Sequence, residues 1–163
     1  MKVNLHGLPP DQGMNTERRM ITRSVQDRKA GYNPVFKAVL IYENFAAGVR
    51  AQCFCERLVR ALDSTLEEQM WSFDALGIRE ARNAAASAAR KADVVIVSVL
   101  GHTDLPSTIR AWLDMWLWLL DKQNPALVAL FDSSTRPNIG SIRAYLSNIA
   151  RGATKPPLCC AVE

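Results

Sequence analysis

Five short strand-like segments, four of them apolar runs, are separated by stretches of helical periodicity and constrain this chain more than any other feature. The clearest is Asp93–Leu100, DVVIVSVL. Runs that are apolar throughout suit strands covered on both faces, and such strands belong to parallel sheets. Phe36–Glu43 (FKAVLIYE), Ala126–Phe131 (ALVALF) and Leu158–Val162 (LCCAV) are further runs, and Leu66–Phe73 is a strand that alternates around Met70, Trp71 and Phe73. Four helical stretches lie between them. Ala46–Leu62 gathers Val49, Cys53, Leu58 and Leu62 as its apolar side, with Arg50, Arg57 and Arg60 elsewhere. Ile78–Ala92 is alanine-rich and turns Arg79, Glu80, Arg82, Arg90 and Lys91 to water. Pro106–Asp121 opens on a proline, where a missing N–H costs nothing. Asn138–Arg151 is the fourth.

The element order is therefore β-α-β-α-β-α-β-α-β, and right-handed crossovers leave few ways to wind it. The expected fold class is α/β, a three-layer αβα sandwich around a five-stranded parallel sheet of flavodoxin-like order 2-1-3-4-5. With the fifth strand last in the sequence, no C-terminal fifth helix is expected on that flank. A partner subunit or the N-terminal segment is expected to cover it.

Charge separates a tail from a body. Residues 1–37 hold seven basic and three acidic groups, and the remainder balances, so the whole net charge of +4 sits at the start. Residues 1–34 carry Pro9-Pro10, Gly7, Gly13, Gly31 and Asn33-Pro34 and few large aliphatics. They are expected to form a basic, disordered N-terminal tail ahead of a domain over 35–163. A short helix over Thr16–Lys29, with Met20, Ile21 and Val25 on one side, is the alternative; a true start at Met14 or Met20 is another. No aromatic residue precedes Tyr32, which argues against a nucleic-acid-binding arm.

No apolar segment follows the charged start, so no secretory signal is expected. The longest apolar stretch, Trp112–Leu120, is broken by Asp114 and is about half the roughly 20 residues that span a bilayer. The four cysteines, Cys53, Cys55, Cys159 and Cys160, have neither metal-ligand spacing nor a histidine cluster beside them. They are expected to be reduced, buried thiols in a cytoplasmic protein, with no metal bound. Cys53 and Cys55, two apart on a helix, should point to nearly opposite sides.

In sheets of this order, ligands bind beyond the carboxyl ends of the strands, where strands 1 and 3 part. That selects the loops Glu43–Gly48, Gly101–Leu105 and Asp132–Ser141. His102 is the one histidine of the body and could serve as a general acid or base with Asp104 or Asp132, although no nucleophile accompanies it. Asp104 is expected to cap the following helix. A phosphate would fit better at the first loop, where Asn44–Val49 offers backbone N–H groups beside Arg50.

The helix Pro106–Asp121 is apolar on two sides. Ile109, Trp112, Leu113, Trp116 and Leu120 suit the sheet. Met115, Trp118 and Leu119 form a second stripe, expected to make a homodimer contact.

The stretch ADVVIVSVLGHTDLPSTIRAWLDMWLWLLDKQNPALVALFDSS resembles the middle of NADPH-dependent FMN reductases of the flavodoxin-like superfamily. The resemblance is carried by Ala92-Asp93, the loop Gly101–Leu105, Pro106, Leu113-Asp114 with Trp116, and Phe131–Ser134. It covers about 45 of the 163 residues, and its motifs are of low specificity. It implies an FMN site in which Gly101, His102, Thr103 and Asp104 border the flavin ring. Asn44, Phe45, Gly48 and Arg50 would then meet the phosphate, with Ser133 and Ser134 beside them. Two departures stand out. The first loop, Glu43-Asn44-Phe45-Ala46-Ala47-Gly48, has no hydroxyl side chain and carries an acid, and the loop after strand 3 is Gly101-His102-Thr103-Asp104. The sheet order is also similar to response-regulator receivers, yet no Asp ends strand 3 and no Lys follows strand 5. Two functions follow as expectations. The first is an FMN-binding, NAD(P)H-dependent oxidoreductase. The alternative is a non-catalytic, receiver-like dimeric module that binds a protein partner without phosphotransfer.

Overall fold

Asp93 shows how the sheet is knitted. Its backbone N–H donates to Lys37 O at 2.8 Å, its carboxylate accepts from Lys37 N at 2.7 Å, and its carbonyl accepts from Ala126 N at 2.9 Å. One residue thus ties together the amino ends of three strands.

The computed structural model describes residues 33–101, 104–120, 125–132, 139–152 and 158–162. The tail expected over 1–34 lies outside these residues but for its last two. The elements are β1 (Val35–Tyr42), α1 (Phe45–Ala61), β2 (Thr65–Ser72), a 3-10 turn (Ala75–Gly77), α2 (Arg79–Ala89), β3 (Val94–Val99), α3 (Ser107–Trp118), β4 (Ala126–Phe131), α4 (Ile139–Gly152) and β5 (Leu158–Val162). The central strands pair in parallel as β2-β1-β3-β4, with Ala38 beside Val94 and Val94 beside Ala126. β5 runs parallel along the outer side of β4, Leu127 beside Leu158. Each element falls within a few residues of its sequence-based range.

The two sheet faces carry different cores. Val39, Ile41, Val95, Val97, Leu127 and Ala129 join α2, α3 and α4 on one face. Ala38, Leu40, Val94, Ile96, Val128 and Leu130 lie on the other, with Ala51 and Cys55 of α1. Such alternation is what a strand's two-residue side-chain period requires.

One expectation about burial is corrected. The buried side of α1 is Ala47, Gly48, Ala51, Cys55 and Val59, whereas Val49, Cys53 and Leu62 are exposed and Leu58 is half-buried. Small residues let the helix approach the sheet closely. A Cβ on Gly48 would stand 3.1 Å from the Tyr42 ring, tighter than ordinary packing. β2, expected to alternate around Met70, Trp71 and Phe73, is polar, with its residues exposed or half-buried. It stands at the end of the strand order, so it lacks one strand neighbour.

α3 supplies the largest packed side chains. Ile109, Trp112, Leu113 and Trp116 are fully buried, and the two indoles stack at 5.9 Å and 9°. Trp112 Nε1 donates to Arg82 O of α2 at 3.2 Å. Leu120 lies beyond the helix end but still packs against this core, as does Met115, which was expected on the outward stripe. Among the described residues no helix is long and apolar enough to cross a membrane.

Candidate functional site at the carboxyl edge

The end of β1 delivers Glu43 to the place where β1 and β3 part. Its N–H donates to Ser98 O at 3.0 Å, and its Oε2 accepts from Leu100 N at 2.6 Å. The acid therefore serves the backbone end of β3, a short, charge-assisted contact. Asn44 follows as the N-cap of α1, its Oδ1 accepting from Ala47 N at 3.0 Å. That bond satisfies one of the N–H groups that a helix start leaves open.

Arg50 lies six residues further along α1 and reaches across the strand ends. Nη2 pairs with Asp132 Oδ2 at 2.9 Å, while Nη1 lies 3.2 Å from Val99 O and 3.4 Å from Ser98 Oγ. Ser98 is fully buried and is the buried polar residue at the end of β3. The guanidinium thereby bridges α1, β3 and the residue after β4. Its side chain is 12% exposed, so the pair is shielded from water more than a surface ion pair.

The remaining expected site residues divide into three groups. Asn44, Phe45, Gly48 and Arg50 do gather at the start of α1, with Phe45 turned out to solvent at 86% exposure. Gly101 follows β3 with φ +85°, the left-handed conformation that glycine adopts without strain, and it is buried. Asp104 is exposed and does not cap α3; Pro106 holds the N-cap position with no side-chain cap. Arg110 Nε instead donates to Leu105 O at 3.0 Å, steadying that turn. His102, Thr103, Ser133 and Ser134 lie outside the described residues. A shallow cleft with room for about one water molecule opens here, lined by Glu43, Phe73, Val99, Asp104, Leu105, Pro106 and Ile142.

Sequence reasoning missed the Arg50–Asp132 pair. The two residues are 82 positions apart, and only the strand order brings them together. It expected a phosphate beside Arg50, the side chain whose guanidinium meets Asp132 in the structure.

Among the described residues no group of His, Cys, Asp and Glu could hold a metal ion. Cys53 and Cys55 are free thiols, the first exposed and the second buried, as their spacing predicted; the expectation that all thiols are buried is corrected at Cys53. Burial, and then the nearby Glu68 charge, pushes the Cys55 thiol up to about 12. Mild iodoacetamide treatment near pH 8 should therefore alkylate Cys53 and spare Cys55 until the protein unfolds; peptide mapping reads the difference. Equal labelling of both in the folded protein would refute the assigned burial. The raised Cys55 pKa also gives stability its pH sign. Its contribution is fully present below the ordinary thiol value of 9.0 and is lost as the pH climbs toward about 12.

The fold defines a class, an α/β domain with a parallel sheet consistent with a flavodoxin-like fold. Neither a family model nor a curated protein matches the chain.

Proposed function

We propose that this domain is a protein-interaction module that dimerises through α3 and presents its carboxyl edge to a partner without performing chemistry there. The observation that carries the reading is the internal use of the edge's charges. Arg50 is engaged by Asp132, and Glu43 accepts from the end of β3. The first loop has no hydroxyl side chain, and a phosphate arriving there would have to displace Asp132 and stand beside Glu43. α3 adds the dimer surface. Trp118 is 89% exposed and Leu119 38%, on an element whose other two tryptophans are in the core. An exposed indole beside a second exposed apolar side chain marks an association surface.

A second reading, an FMN-dependent oxidoreductase using NAD(P)H, keeps one supporting observation. The start of α1 lies at the point between β1 and β3 where sheets of this order bind cofactors. The two readings separate in one experiment. Purified protein mixed with excess FMN and desalted should emerge without a flavin absorbance band, and a retained band would replace the first reading with the second. Trp118→Asp should convert a dimer to a monomer in light scattering, with its far-UV spectrum unchanged because the side chain is exposed.

A further inference from the structure

We propose that two copies of this chain pack α3 against α3 in antiparallel orientation, with Trp118 of each protomer seated on Ser107 and Ala111 of the other. The proposal rests on the dimer reading above and fixes its register. The outward face of α3 carries Ser107, Ala111, Asp114 and Trp118, all exposed. Their spacing of four, three and four residues keeps them in one stripe, opposite the buried Ile109, Trp112, Leu113 and Trp116.

The stripe is uneven along its length. Small side chains occupy its N-terminal half, and a large indole stands at its C-terminal end. A two-fold axis crossing the helix between positions 112 and 113 lays the large end of each copy on the small end of the other. A parallel pairing would set indole against indole and leave the small residues facing each other across a gap, which close-packed interfaces avoid.

Charge selects the same orientation. In the antiparallel register Arg110 stands level with Asp114 of the partner subunit, within about 1.5 Å along the axis and on the same flank. The two-fold axis makes this pairing twice. In the parallel arrangement Asp114 would face its own copy. Both groups are already positioned within each protomer. Asp114 Oδ1 accepts from Tyr145 OH at 3.2 Å, and the Arg110 guanidinium lies 5.3 Å from the Tyr145 ring centre. The twelve-residue helix is about 18 Å long. A contact through one such face falls at the small end of specific interfaces, so association in the micromolar range is expected.

Cross-linking with Trp118 kept in place tests the register. In a Cys53→Ser background, Ser107→Cys is treated with a short thiol cross-linker beside its parent. The antiparallel register holds position 107 about 16 Å along the axis from its own copy. No covalent dimer beyond the parent's is therefore expected. A covalent dimer through Ser107→Cys would establish the parallel arrangement and overturn the proposal. Ser107→Arg supplies a second measurement: sedimentation should show association weakened about tenfold or more. A dimeric wild type with unaltered association in Ser107→Arg would overturn the register and leave the dimer standing. A monomeric wild type would overturn both.

Discussion

Trp116→Ala should lower folding stability by about 3–5 kcal/mol, measured as the shift in the urea unfolding midpoint. The side chain is fully buried, stacks on Trp112 and belongs to the core that joins α2, α3 and α4 to one face of the sheet. Its removal deletes apolar contact area and leaves a cavity, because α2 and the sheet cannot both collapse onto the vacated space. Alanine-rich α2, with Ala85, Ala86 and Ala89 buried, has no larger side chain to fill it. Trp116→Phe separates volume from polarity. The indole Nε1 is buried without a hydrogen-bond partner, so replacing it loses no bond and removes an unsatisfied donor. The phenylalanine variant should lose less than half of what the alanine variant loses. A cost of under about 1 kcal/mol for Trp116→Ala would show that the α3 core is not packed as described.

Arg50→Met should cost about 2–4 kcal/mol by the same measurement. The substitution keeps much of the apolar stem but takes the guanidinium away from the Asp132 carboxylate and from Val99 O. Losing one partner of a shielded pair costs more than the pair contributes on balance, because the remaining charge loses its counter-charge. Arg50→Lys should recover only part of the loss. An ammonium is a point charge and cannot span Asp132, Val99 and Ser98 at once. Stability unchanged in Arg50→Met would mean that the bridge across the strand ends contributes little. The carboxyl edge would then be open to an anionic ligand, contrary to the reading given above.

β3 was readable because the sheet covers it on both faces, so all six of its residues had to be buried and its apolar run is unbroken. β4 was readable for the same reason. α1 was read on the wrong side. Its large apolar residues, Val49 and Leu62, are exposed, and its contact with the sheet is made by Ala, Gly and Cys, whose small size permits close approach but gives little hydrophobic signal. β2 was read as an alternating strand at the end of the order, and Glu67 and Glu68 mark it as bordering water. At the site, the positions of Asn44, Phe45, Gly48, Arg50 and Gly101 followed from strand order alone. Their engagements did not follow. Arg50 meets Asp132, and Glu43 meets Leu100, only after β1, β3 and β4 are side by side, and such long-range pairings leave no trace in local spacing.

The dimer through α3 is the claim on which the functional account turns, and sedimentation of the untagged wild-type chain across the micromolar range tests it most directly. The account predicts a reversible monomer–dimer equilibrium that Trp118→Asp shifts fully to monomer. A wild type that sediments as a monomer at every concentration, or a Trp118→Asp variant that still dimerises as the wild type does, would contradict it.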